Sequence, residues 1–252
     1  MTGRPSRLVG LAAAGCAALL CVAGCASPGA GGAADASGMA PAKEPAFVLV
    51  TSRPVPPGTV LLAEDIEPLA ERTARWACTD GRPAFEVRCR RTDAGTQRED
   101  PRGERSMART ADGSVVLQWQ RDAGDGARTT FNPPLLLAPA RLREGEPASG
   151  TASVRTMRAG VPEHDDGSAL RELRIASLDR VRTPLGEFDA FRVDAVLTMK
   201  VPFASLRRET STWILPGRGP VAVRSEERIL VMGVVPRNSS ELRVLLPGGR
   251  AP

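Results

Sequence analysis

From Glu71 to Leu246 the chain is a succession of short runs in which apolar and polar residues alternate, cut by Gly, Pro and Asp-Gly turn signals. Alternation with a period of two buries one face of a β-strand and wets the other, so this pattern dictates an all-β fold. Arg171, Leu173 and Ile175 share one parity while Leu170, Glu172 and Arg174 share the other, and Phe191, Val193, Ala195 and Leu197 fall on a single face. The expected strands are at about 73–78, 84–91, 105–110, 114–121 and 127–131. After the break at Asn132-Pro133-Pro134 they resume at about 150–157, 169–180, 189–201, 207–215, 220–231 and 239–246. A stretch of helical period with caps is missing, apart from a turn of helix expected at about 135–143. Many consecutive antiparallel strands must hide their edges. The expectation is a single curved antiparallel sheet or an incomplete up-and-down β-barrel over residues 71–246. An N-terminal strand segment (46–70) precedes it and a disordered tail (247–252) follows.

The first residues carry an address. Arg4 and Arg7 precede an uncharged, mostly apolar run from Leu8 to Ala23, which is short for a bilayer span and has the charge layout of a signal peptide. Val22-Ala23-Gly24-Cys25 resembles the lipobox of bacterial lipoproteins. That resemblance implies a signal peptide over 1–24, a diacylglyceryl group on the Cys25 thiol and attachment to the membrane through this N-terminal lipid. Ala14-Gly15-Cys16 is a weaker competing site, and Cys21 lacks the small residues before it. Residues 25–45, rich in Gly, Ala, Ser and Pro, read as a flexible tether whose mean reach is about 25 Å. Ala26-Ser27 lacks the acidic residue that resembles an inner-membrane retention signal. The expected place is therefore the cell envelope, at the outer membrane and facing the periplasm.

Charge excludes one class of partner. The formal net charge is +5, and nearly all cations are arginine. They are interspersed with acids, as in Arg98-Glu99-Asp100-Pro101-Arg102-Gly103-Glu104-Arg105. Nucleic-acid binding calls for a one-sided basic patch with aromatics for stacking, so no nucleic acid is expected.

Beyond Cys25 the cysteines are Cys78 and Cys89, and in an oxidising envelope the pair is either a disulfide or two buried free thiols. A tight hairpin at Asp80-Gly81 would set Cys89 opposite about residue 72, a poor geometry for bonding Cys78. With a single histidine the chain offers no zinc set, and no metal or cofactor is expected. That histidine, His164, lies in Pro162-Glu163-His164-Asp165-Asp166-Gly167, which reads as a solvated acidic hairpin tip. Glu226 and Glu227, adjacent on a strand, should point to opposite faces. The serines sit in no nucleophile elbow, so no catalytic residue is assigned and the chain is not expected to be an enzyme.

Three segments suggest a family. They are Phe131-Asn-Pro-Pro-Leu-Leu-Leu-Ala-Pro139 with Leu142-Arg-Glu-Gly145, Thr183-Pro-Leu-Gly-Glu-Phe-Asp-Ala-Phe-Arg-Val193, and Trp213-Ile-Leu-Pro-Gly-Arg-Gly-Pro-Val221. Together they resemble the TapB-like, DUF-type β-rich domains of bacterial envelope proteins over about residues 71–235. Ile214 and Leu185 depart from the usual pattern. The resemblance implies a curved antiparallel sheet and no catalytic mechanism. A second, shorter likeness runs from Arg53 to Ile66, which is similar to the signature of SAF modules; its alternative is an edge strand with a Pro-Gly turn.

Two functions follow. The first is an accessory or interaction lipoprotein that docks on an envelope protein partner, with a filled core and an exposed apolar or edge-strand surface. The alternative is a carrier of an apolar, lipid-like ligand, with a cavity lined by Trp119, Phe131, Phe188, Phe191 and Trp213. The same five aromatics are more often plain core, which favours the accessory reading over carriage.

Overall fold

The computed structural model describes residues 47–159, 161–202 and 204–248, and of residues 161–166 the backbone alone. The expectations for residues 1–45 with Cys25, for the tail beyond Gly248 and for the His164 side chain lie outside the described residues.

Twelve strands form an up-and-down meander that closes on itself. They are β3 (Arg72–Cys78), β4 (Phe85–Thr92), β5 (Gly95–Asp100), β6 (Gly103–Arg109), β7 (Val115–Asp122) and β8 (Arg128–Ala138). After β9 (Arg141–Arg143) come β10 (Ala148–Arg158), β11 (Val161–Thr183), β12 (Gly186–Val201), β13 (Ala204–Leu215), β14 (Gly219–Val231) and β15 (Val235–Leu245). Apart from the step over β9, each strand pairs antiparallel with its neighbours in sequence, and β15 returns to β3 through Arg243↔Cys78, Val244↔Ala77 and Leu245↔Trp76. The barrel is thus closed where the sequence suggested an incomplete one. The physical reason is β5: Gly-Thr-Gln-Arg-Glu-Asp looks like a charged connector, yet it pairs with both β4 and β6. Without it the meander has an odd number of strands, and its first and last would meet parallel. Gly103 makes the β5–β6 turn possible, since at φ +134° an added Cβ would meet the Arg121 carbonyl oxygen at 1.9 Å.

Other differences are local. The expected helical turn at 135–143 is strand, with β8 running to Ala138. Pro133 and Pro134 do not end β8, because Asn132–Pro134 bulge outward and pairing with β7 resumes at Leu135. Residues 162–167 lie within β11 rather than at a hairpin tip, since the turn falls between Arg158 and Val161.

The N-terminal segment belongs to the barrel. β1 (Val48–Arg53) pairs with the outer half of β11, in line with β10. A Pro56–Thr59 turn leads to β2 (Val60–Leu62), which pairs with β9, and then to the one-turn helix α1 (Ala63–Ile66). Leu61, Ala63 and Ile66 pack into the main core with Val115, Leu137 and Leu142, plugging the end of the barrel that carries the β8–β10 connection. Asp65 accepts from the Gly217 backbone N–H at 2.7 Å, and the Leu69 carbonyl accepts from Thr96 at 2.9 Å, so the plug is tied to the wall.

Inside, that half is filled by Met107, Leu117, Leu135, Leu173, Val193 and Ile214. Outside, the wall carries exposed charges such as Glu86, Arg88, Glu172, Arg174, Glu226 and Arg228. A barrel wall that meets hydrocarbon needs an apolar band, and this one presents charge to water. Among the described residues no helix is long and apolar enough to cross a membrane.

Candidate functional site

The two ends of the barrel differ. Opposite the plug, the β3–β4, β5–β6, β7–β8 and β14–β15 turns surround an open mouth. Three cavities of about 110, 320 and 260 Å³ adjoin there, and all three touch Arg102. The first runs into the lumen between Thr129, Thr156, Met199, Leu206, Ile229 and Arg105. The second is walled by Phe85, Pro83, Pro101 and Cys78, and the third lies over Ser225, Glu227 and Ser239.

Strand parity delivers charge to this end. Arg98 and Arg105 are direct cross-strand partners on β5 and β6, and both face inward. Arg171 shares the inner face of β11 with Leu173, while Arg208 and Glu227 face each other across β13 and β14. The alternating signs at 98–105, which read as solvated in the sequence, therefore sort by face: Arg98, Asp100 and Arg105 go inside while Glu99 and Glu104 go out.

Most of these groups are paired. Glu241, with its side chain only 6% exposed, is a hub: it pairs with Arg102, with Arg82 at 3.3 Å and with Arg243 at 3.8 Å. Arg208 Nε donates to Glu227 at 2.7 Å, and Arg98 Nη1 to Glu67 of the plug segment at 2.8 Å. Burial pulls the Arg98 guanidinium down, but Glu67 and Asp100 more than offset it and the net shift is upward. Arg105 and Arg171 differ from the rest. Among the described residues neither side chain has a hydrogen bond or an ion pair, and the buried Nε of Arg171, like that of Arg98 and Arg243, has no partner. Burial, with Arg105 and Arg208 nearby, pushes Arg171 down to about 10 against the weaker pull of Glu67. Burial also lowers Arg105, in part offset by Asp100. At the rim, burial raises the Asp122 carboxyl, and Asp125 and Glu227 add to the rise.

Cys78 and Cys89 are separate, buried thiols, and the disulfide alternative is excluded. Cys89 lies opposite Arg72, six residues down β3 from Cys78, as the tight-hairpin geometry required. The Cys78 thiol donates to Glu241 at 3.1 Å, and burial with this bond raises it to about 11. Such a thiol is protonated at neutral pH and is no nucleophile.

The five aromatics do not share a cavity. Phe131 and Phe191 lie inside, in or against the plugged-end core. Trp119 is on the outer face beneath the Arg128 guanidinium, 4.3 Å from its ring centroid. Phe188 is also outside, with Arg218 at 5.9 Å. Trp213 belongs to an outer cluster with Val181, Ala190, Val221 and Val244, where it meets the Phe47 ring at a tilt of 53° and donates from Nε1 to the buried Asp179 at 2.9 Å. Glu226 is exposed and Glu227 buried, on opposite faces. The cavity residues that aromatic-centred reading missed include Arg102, Arg105 and Arg208; Arg171 lies outside the cavity linings, and its parity with Leu173 and Ile175 was the available signal of a polar lumen.

Compared with known proteins, the chain matches no family model, no curated protein and no solved structure.

Proposed function

We propose that this is a cell-envelope lipoprotein, anchored through Cys25 to the outer membrane and facing the periplasm, that binds a lipid-like ligand in the open end of its barrel. The observation that supports ligand carriage is the asymmetry of the lumen: one end is plugged by the chain's own Leu61–Ile66, and the other holds adjoining cavities. Closed barrels with one stopped end are a common solution for holding a single small ligand. The address rests on the lipobox and the signal-like run before it, and the TapB-like segments agree with an envelope protein.

Binding rather than catalysis suits the chemistry at the mouth. Glu227 and Glu241 are committed to arginines, and the Cys78 thiol is held protonated. An accessory role is the second reading, and β1 favours it. Val48, Leu49 and Val50 are each more than 40% exposed, and among the described residues β1 pairs only with β11. An exposed edge of this kind is a template for a partner's strand.

The test is native mass spectrometry of the exported protein purified without detergent. Carriage is supported by a co-purifying apolar species that is lost on Leu206→Arg in a variant that still folds. A clean apo mass under several extraction conditions, with a partner captured only when β1 is intact, shifts the assignment to docking. Lipid labelling that survives Cys25→Ser would sink the anchor.

A further inference from the structure

We propose that Arg105 and Arg171, with Arg208 beside them, form an oxyanion seat inside the barrel that holds the carboxylate or phosphate head of the ligand. This rests on the carrier reading and names its ligand class: an amphiphile with a single anionic head.

Arg98, Arg102, Arg208 and Arg243 each reach a carboxylate of Glu67, Glu227 or Glu241. Arg105 and Arg171 reach none, although both point into the lumen. Arg105 lines the 110 Å³ cavity together with Arg208. Arg171 sits two strands from Arg208 on the same inner row, through the register Arg171↔Leu197↔Arg208. Neighbouring strands are about 4.8 Å apart, which places the two about 10 Å apart at their backbones, and long arginine side chains close that gap. Burial first, and then the like charges of Arg105 and Arg208, hold the Arg171 guanidinium below its ordinary range, against the pull of Glu67.

Two lumen-facing guanidiniums without an ion pair are costly to keep in a wall that serves only stability, the charges that act on them being Asp100 for Arg105 and Glu67 for Arg171. An oxyanion supplies what is missing, and arginine's planar fork matches a carboxylate or phosphate in bidentate fashion. One side of the cavity suits an apolar tail, while Glu104, Arg121, Asp122 and Asp125 also belong to its lining. Met199, Val201, Leu206 and Ile229 give an apolar wall, and the Thr129 and Thr156 hydroxyls lie 3.5 Å apart beside it.

The test is calorimetric titration of the exported protein with three probes: a long-chain fatty carboxylate, the alcohol of the same chain and inorganic phosphate. Each is run on the native chain, R171M and R171K, with thermal melting of every variant. The expected result is carboxylate binding at least tenfold tighter than alcohol, with the preference lost in R171M and only partly restored in R171K, which keeps the charge without the fork. Ligand-free R171M should melt higher than the native protein, which a merely structural arginine would not do. Equal binding of carboxylate and alcohol, unchanged in R171M, overturns the seat and leaves carriage standing. Binding of phosphate alone, abolished by R171M, upholds the seat and removes the lipid-like ligand. Binding of none of the three overturns both.

Discussion

Leu61, Ile66, Leu135, Leu142 and Ile214 fill the plugged end of the barrel, while the same wall at the other end turns Arg102, Arg105, Arg208, Glu227 and Glu241 inward. The plugged end is stable for a simple reason, since each apolar Å² removed from water contributes about 25 cal/mol and needs no partner. At the open end every group depends on another, and buried ion pairs about break even against apolar residues of the same size. A chain that spends half of its lumen this way gives up stability there, as sites that bind something commonly do. The difference teaches where to look: the fold is held from the plug, and the chemistry is gathered at the mouth.

Glu241→Gln breaks the comparison hardest. Removing the carboxylate shared by Arg82, Arg102 and Arg243 should cost about 3–5 kcal/mol, read by urea unfolding. A loss below about 1 kcal/mol would show that water already screens the hub. Leu61→Ala, at the other end, should cost about 2–5 kcal/mol through the cavity it opens, with ligand affinity at the mouth unchanged. A loss of affinity along with stability would mean that the plug shapes the site.

The thiols sharpen the contrast. Alkylation after unfolding without reductant should label both Cys78 and Cys89, and native labelling of Cys78 should rise only as pH approaches about 11. Because the folded-state value lies above the ordinary thiol value of 9.0, its contribution to stability is whole below pH 9 and is lost as pH climbs to about 11. Fast native labelling at pH 8 would contradict the bond to Glu241. The smallest effect is expected at the β14–β15 tip, where Met232 and Val234 are 65% and 75% exposed. Changing both to Ser should move stability by no more than about 0.5 kcal/mol; a larger drop would mean the tip packs on something.

Much of the fold was legible because parity survives in the long strands. Leu170–Ile175 and Phe191–Leu197 sort by face as their alternation requires, and the turns at Pro184–Gly186 and Pro216–Gly219 fall where glycine and proline put them. Closure was not legible, because β5 carries its inward residues as Thr96, Arg98 and Asp100 and so shows no apolar face. The site was hidden for the same reason. A search for aromatics finds Trp119, Phe188 and Trp213 on the outer wall, whereas an arginine on the apolar parity, as at Arg171, is the mark of a polar lumen.

The seam between β3 and β15 is held by three residue pairs, with backbone bonds from Thr79 to Leu242 and from Leu246 to Arg75 at its ends, while every other ladder of the barrel has five or more pairs. Amides along such a short ladder exchange with solvent through local opening, well before the whole barrel unfolds. Cys78 and Arg243, which line the 320 Å³ cavity, and Glu241, which lines both larger cavities, sit beside it. The shortest ladder of the closed wall therefore runs beside these side chains, and local opening there would widen the barrel next to its mouth.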